Sequence, residues 1–375
     1  MKSSKKDRKY YSYENILSKN AIYNMVIGER SNGKSYGALK MGIDNYVLKG
    51  EQMAIVRRYG DDFKGARGAA MFSALVEDGY IEKVTKGKWT SVYYYSSRWY
   101  LCKFDEDLNK RVTDIKPFCW GFSISAVEHD KSTSYPEITT IVFDEFIARG
   151  AYLSDEFVLF MNVLSTIIRD RVNVKIFMLG NTVSKYCPYF DEMGLKHIKN
   201  MKPNTIDVYT YGESGLSVAV ELCGAEDRHG ANNKPSDIYF AFDNPKLNMI
   251  TSGIWEVNVY PHHPKILDPD FKFDIEFIFF IQFDRDILQC EIQTTDRGDS
   301  YIYIHKKTTP IKDVYNDIIY TPDVKPTYNY RRNIYKPLYD FERIILKIFK
   351  DDKIFYQDND VGEIVRNYLL WCRQN

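Results

Sequence analysis

The sequence has no excess charge of either sign: 51 Lys and Arg residues balance 51 Asp and Glu residues over 375 positions. That excludes the global basic field by which many proteins sit passively on DNA, but not a local basic lining. Cysteine is sparse and unpatterned. Cys102, Cys119, Cys187, Cys223, Cys290 and Cys372 form no C-x-x-C pair and no metal-ligand spacing, so a reducing compartment fits better than a disulfide framework. No run reaches the roughly 18 apolar residues that a spanning helix needs. The basic start, MKSSKKDRKYYSYEN, has no apolar h-region, so the chain is expected in the cytosol without a membrane partner.

Hydrophobic residues make up 44% and charged residues 27%, which is ordinary globular usage, and the length exceeds what one core usually organises. Two domains are expected. The aromatic share of 15% is high, and such rings serve mainly in packing, although they can also stack on bases.

The strongest local signal is IGERSNGKSYGALK, where Gly28-x-x-x-x-Gly33-Lys34-Ser35 follows the apolar segment AIYNMVIG. It precedes a segment with helical spacing at Leu39, Ile43 and Val47. A strand, this loop and then a helix is the context of a Walker A phosphate loop. The glycines let backbone N–H groups face phosphates, and the helix N-terminus adds positive partial charge. Gly28, Arg30, Gly33, Lys34, Ser35 and Tyr36 are the candidate ATP-binding residues. Lys34 would bridge the β- and γ-phosphates and Ser35 would hold Mg2+.

A second magnesium anchor is expected in TTIVFDEF, a Walker B pattern in which an apolar strand delivers Asp144 to its carboxyl end. The adjacent Glu145 is placed to polarise an attacking water, which points to an ATP-driven motor or remodelling enzyme. A further strand, VKIFMLGN, ends in Asn181 at the height of a γ-phosphate. Between these strands, DEFVLFMNVLSTIIRDR has helical spacing and closes with Arg169 and Arg171. These are either cations favoured at a helix C-terminus or an arginine finger for a neighbouring nucleotide. Arg57 and Arg58 end the strand QMAIVRR and would face DNA, nucleotide or an acidic neighbour.

These motifs resemble, in order, the DNA-packaging ATPases of small tailed phages of the phi29 type. VIGERSNGKSY, GEQMAIVRRY, EHDKSTSYPEITTIVFDEFI, STIIRDRVNVKIFMLGNTVS and CPYF carry the resemblance over most of residues 12 to 190. It implies an ASCE-type P-loop ATPase sheet flanked by helices, using ATP and Mg2+. It also implies a homo-oligomeric ring, expected to be a pentamer, that drives double-stranded DNA into a procapsid at its portal in the host cytoplasm. In some relatives a packaging RNA takes part. By motif, Lys34, Glu145 and Asn181 would be catalytic, Ser35 and Asp144 metal-binding, and Arg169 the trans-acting finger. Lys131 matches a family lysine towards the subunit interface, and Arg30 a basic loop position that registers nucleotide state.

The ATPase domain is expected over 1–200, a linker over 201–235, where the chain turns polar, and a second α/β domain over 236–375. Residues 80 to 125 read as antiparallel hairpin material added to the main sheet, with a DNA-facing aromatic surface as the alternative. The resemblance implies an RNase H-like, vestigial nuclease for the C-terminal domain. Asp284, Asp286, Glu291 and Asp296 form no convincing two-metal spacing, and the His pair in YPHHPK reads as a loop. Two alternatives to the motor share the nucleotide residues: a helicase-like remodelling ATPase, and a nucleotide-gated portal adaptor with negligible turnover. Glu145 speaks against the adaptor.

Overall fold

The computed structural model describes residues 11–30, 32–129, 134–150, 152–212, 214–224, 259–266, 268–283, 286–311, 317–323 and 332–375. It divides into two compact units, residues 1–149 with 155–255, and residues 150–154 with 256–375.

The first unit is built on one ten-stranded sheet. Its strands are β1 (Tyr23–Gly28), β2 (Gln52–Arg57), β3 (Ser91–Tyr95), β4 (Arg98–Asp105), β5 (Lys110–Thr113), β6 (Cys119–Ser123), β7 (Ile138–Asp144), β8 (Lys175–Asn181), β9 (Thr205–Tyr211) and β10 (Leu216–Leu222). The order is β3-β4-β6-β2-β7-β8-β1-β10-β9, with β5 pairing β4. From β6 to β10 every neighbour is parallel. Parallel strands covered on both faces need continuous apolar runs, which Met25–Ile27, Met53–Val56, Ile141–Phe143 and Ile176–Leu179 supply, all buried. The helices Lys34–Lys49 and Glu156–Ile168 follow β1 and β7 respectively. One strand, β8, lies between the phosphate-loop strand and the Asp144 strand, which is the defining order of an ASCE-type sheet.

The hairpin material of residues 80–125 extends this sheet at one edge through β3, β4 and β5, all antiparallel, as the alternation of its residues predicts. The expected linker fares differently. Residues 205–222 form β9 and β10, and β10 runs parallel to β1 over Tyr23–Ile27, so this part of the 201–235 span completes the ATPase sheet. Its polar appearance has a physical cause: β9 is an edge strand with mostly half-exposed residues, paired antiparallel with β10. Residues 225–235 lie outside the described residues.

The second unit has a five-stranded sheet: β11 (Phe273–Phe283), β12 (Asp286–Thr295), β13 (Ser300–Lys306), β14 (Ile319–Tyr320) and β15 (Ile354–Tyr356), in the order β14-β11-β12-β13-β15. β11, β12 and β13 are antiparallel, and β14 returns parallel to β11. Helices Asp340–Lys350 and Asn359–Gln374 belong to this unit. The Asp358 carboxylate caps the second of these, accepting from the Val361 N–H at 2.8 Å.

Candidate active site

β1 delivers the chain to the phosphate loop, and the helix Lys34–Lys49 leaves it. Gly33 sits at φ +88°, a left-handed conformation that glycine adopts without steric cost. Gly28 is required by proximity: a Cβ there would lie 2.8 Å from Cys223 Cβ. The Lys34 ammonium, almost fully buried, donates to Gly28 O (3.2 Å), Glu29 O (2.8 Å), Asn32 Oδ1 (3.1 Å) and Asn181 Oδ1 (3.3 Å). A buried cation ringed by loop acceptors suits a phosphate oxygen that would enter the same ring.

Sheet register brings the other candidates alongside. Gly28 pairs directly with Asn181, and Asp144 pairs with Leu179, two residues earlier on β8. Ser35 Oγ donates to Asp144 Oδ1 at 3.1 Å, so a hydroxyl and a carboxylate oxygen converge as Mg2+ prefers. Burial pushes the Asp144 carboxyl above its ordinary range. The Arg57 guanidinium opposes that shift and Glu145 adds to it.

The structure decides the roles of the two arginines. Arg57 bridges both acids, with Nη2 at 2.7 Å from Asp144 Oδ2 and Nη1 at 2.9 Å from Glu145 Oε2. Arg58 turns the other way, into the protein. Its Nε and Nη2 meet Glu156 Oε2 and Oε1 at 2.7 and 2.9 Å, and Nη2 also donates to Phe146 O at 2.9 Å. Tyr189 Oη donates to Glu156 Oε1 at 2.9 Å and completes the buried pair. Arg58 Nη1 reaches Glu145 O at 3.3 Å, and the Glu145 N–H donates to Asp144 Oδ1 at 3.1 Å. Glu145 therefore holds a strained φ of +62° because its backbone is tied on both sides. Its side chain stays 66% exposed.

Arg30, Gly33, Lys34, Ser35, Tyr36, Asp144, Glu145 and Asn181 line one cleft of about 590 Å3, and Gly28 presents its carbonyl to Lys34 beside it. The cleft also takes Arg58, for which the sequence left nucleotide, DNA and an acidic neighbour open, and Ile147, Arg149 and Val183, which the motif reading passed over. The signal for Arg58 was the paired arginine ending a strand in the same sheet as the Asp-Glu strand. Arg149 and Val183 sit in loops beyond strand ends and carry no pattern.

Arg169 is not among the residues that line this cleft. The helix Glu156–Ile168 runs back from the carboxyl end of β7 towards the start of β8, leaving Arg169 exposed. The seven residues of β8 separate the two levels by roughly 20 Å. Its φ of +50° is again a left-handed value in a non-glycine residue. Arg171 is absorbed structurally, donating to the carbonyls of Ile167 (2.7 Å), Ile168 (3.2 Å), Pro136 (2.9 Å) and Ile138 (2.5 Å). Lys131 lies outside the described residues.

A family model described as Podovirus DNA encapsidation protein (Gp16) matches residues 5–210. The chain belongs to this family. Among its relatives, the DNA packaging protein of Bacillus phage phi29 is 31% identical over 202 residues, 53% of this chain and 54% of that protein. The DNA packaging protein of Bacillus phage B103 is 33% identical over 183 residues, 48% of this chain and 50% of that one. The aligned part thus spans about half the length of these relatives. The fold extends further: a solved structure of the bacteriophage Phi-29 viral genome packaging motor assembly aligns with 98% of this chain and 99% of its own. That alignment has a TM-score of 0.56 at 22% identity.

In the second unit, the acids considered for a metal site are placed differently. Glu291 accepts from Gln289 Nε2 (2.9 Å) and Gln293 Nε2 (2.7 Å), and pairs with His305 Nε2 (3.2 Å). Burial alone would raise its carboxyl, but these partners outweigh burial and hold it below the ordinary range. His263 packs against Tyr303 and meets Gln293 Oε1 at 2.9 Å, so this histidine of the pair is a core residue, while His262 is exposed. Asp286 and Asp296 begin and follow β12, and Asp284 lies outside the described residues.

Proposed function

We propose that this chain is an ATP hydrolase that couples turnover to the translocation of double-stranded DNA into a procapsid, as one subunit of a homo-oligomeric ring at the portal. The observation that carries this reading is the convergence of Lys34, Ser35, Asp144, Glu145 and Asn181 in one cleft of a chain belonging to the encapsidation family. The names of its packaging-protein relatives support the DNA substrate.

ATP enters as substrate, its phosphates meeting the loop N–H groups and the Lys34 ammonium. Ser35 and Asp144 would hold Mg2+, which when bound neutralises charge on phosphate oxygens. Glu145 takes the proton of the attacking water, with Arg57 orienting its carboxylate through Oε2. Asn181, hydrogen-bonded to Lys34, reports phosphate occupancy along β8. Arg169 acts on a neighbour's nucleotide, a role supported by its exposure and its absence from the lining of its own cleft. The second unit acts as a vestigial, RNase H-like nucleic-acid-binding domain. Its β14-β11-β12-β13 order, with three antiparallel strands and a fourth returning beside the first, supports that reading.

Steady-state ATP hydrolysis against protein concentration, with and without long double-stranded DNA, tests the proposal. Turnover is expected to rise steeply with both and to collapse in Glu145→Gln and Arg169→Ala. Mixing the two inactive variants should restore part of it. Equal activity in dilute, DNA-free protein, or a fully active Arg169→Ala, would overturn the ring mechanism.

A further inference from the structure

The sheet extension formed by β3, β4 and β5 has two unlike faces. One sends Val92, Tyr94, Trp99 and Leu101 into the core of the first unit. On the other, register places Tyr93 opposite Tyr100, Tyr95 opposite Arg98, and Phe104 opposite Arg111. Tyr93 and Tyr100 are 6.5 Å apart between ring centroids. The Arg111 guanidinium crosses β4 to lie 4.8 Å over the Tyr93 ring, and Arg98 lies 4.8 Å over Trp120. Tyr95 and Phe104 are 62% and 61% exposed.

We propose that this face binds single-stranded DNA, stacking unpaired bases on its rings while Arg98 and Arg111 meet the phosphates. Period-two alternation sets the chemistry of the face. Its same-side positions on β3, β4 and β5 are Ser91, Tyr93, Tyr95, Arg98, Tyr100, Cys102, Phe104, Arg111 and Thr113, and they hold two cations and no acid, in a chain whose overall charge is zero. Asp105 lies on the opposite side. An acidic peptide would engage the arginines but leave the ring faces unused. A duplex buries its base faces in its own stack, whereas an unpaired strand offers both a π-face and a phosphate at every nucleotide. The choice of DNA over RNA rests on the packaging reading, because ring stacking is indifferent to the sugar.

The test is fluorescence anisotropy of a labelled oligothymidylate of about 16 nucleotides with the full chain, without ATP. Tyr95→Ala and Phe104→Ala should each weaken binding roughly 5- to 100-fold, and Tyr95→Phe should bind as the parent. Arg98→Ala with Arg111→Ala should lower the log–log salt slope by about 1.4. Both rings are surface groups, and equal thermal unfolding midpoints confirm folding. The proposal fails if the parent does not bind the oligonucleotide, or if the alanine variants bind equally. It also fails if oligouridylate, a blunt duplex or polyglutamate competes better. ATP turnover is measured separately, so loss of turnover with ring-dependent binding intact sinks the motor reading and leaves this one standing.

Discussion

Each unit of this chain gathers carboxylates around basic or polar partners on a sheet, and the two clusters end differently. In the first, Asp144 and Glu145 share Arg57 at the mouth of a cleft, Glu145 is strained and mostly exposed, and the Asp144 carboxyl is pushed up. In the second, Glu291 is enclosed by Gln289, Gln293 and His305, and its carboxyl is held down. A carboxylate whose partners close around it stabilises the fold. Carboxylates that share one cation and line an open cleft keep capacity for a ligand. Two adjacent acids alone do not distinguish these cases; the cleft and the backbone strain do.

The comparison can be broken from the first cluster most forcefully. Glu145→Gln keeps the shape of the side chain but removes the proposed base, so kcat should fall about 10^2- to 10^4-fold while nucleotide still binds; full turnover would make Glu145 as structural as Glu291. Next in size is the buried pair behind it. Arg58→Ala leaves Glu156 charged and uncompensated in the core, and should cost about 3–5 kcal/mol in urea unfolding.

A smaller effect sharpens the second cluster. Glu291→Gln sets an amide against the donors of Gln289 and Gln293, costing about 1–3 kcal/mol near neutral pH. The Glu291 carboxyl is held below its unfolded value of 4.5, so its contribution is present above pH 4.5 and is lost as pH falls through the folded value. Unfolding midpoints of the two proteins should therefore converge in acid, and a constant gap across pH would contradict the network. Smallest is Arg169→Ala, an exposed position whose replacement should shift stability by no more than about 0.5 kcal/mol. A larger loss would mean that Arg169 holds its own subunit together.

Much of the candidate site's arrangement was legible before the fold. The phosphate loop, the Asp-Glu strand end and Asn181 each follow an apolar strand, and parallel sheets present their carboxyl ends on one side, so local pattern sufficed to bring them together. The edge hairpin β9–β10 was not, because an edge strand looks polar and its partner, β1, lies nearly 200 positions away. The division of labour between Arg57 and Arg58 was equally hidden. Successive residues at a strand end point to opposite faces, and only the packed neighbours decide which meets Asp144 and which meets Glu156.

The sequence by itself determined the chemistry available to this protein: a lysine and a serine in a glycine-bounded loop, paired acids after an apolar strand, and arginines at element ends. Those assignments rest on contacts within a few residues, where spacing and periodicity are sufficient. The tertiary structure alone decided which of these groups share a space. It set Asn181 against Lys34, Arg57 across both acids, Arg171 into backbone carbonyls and Arg169 away from the cleft. The reason is that long-range pairing depends on strand order and register, which arise from burying the whole sheet and which no single stretch of residues encodes.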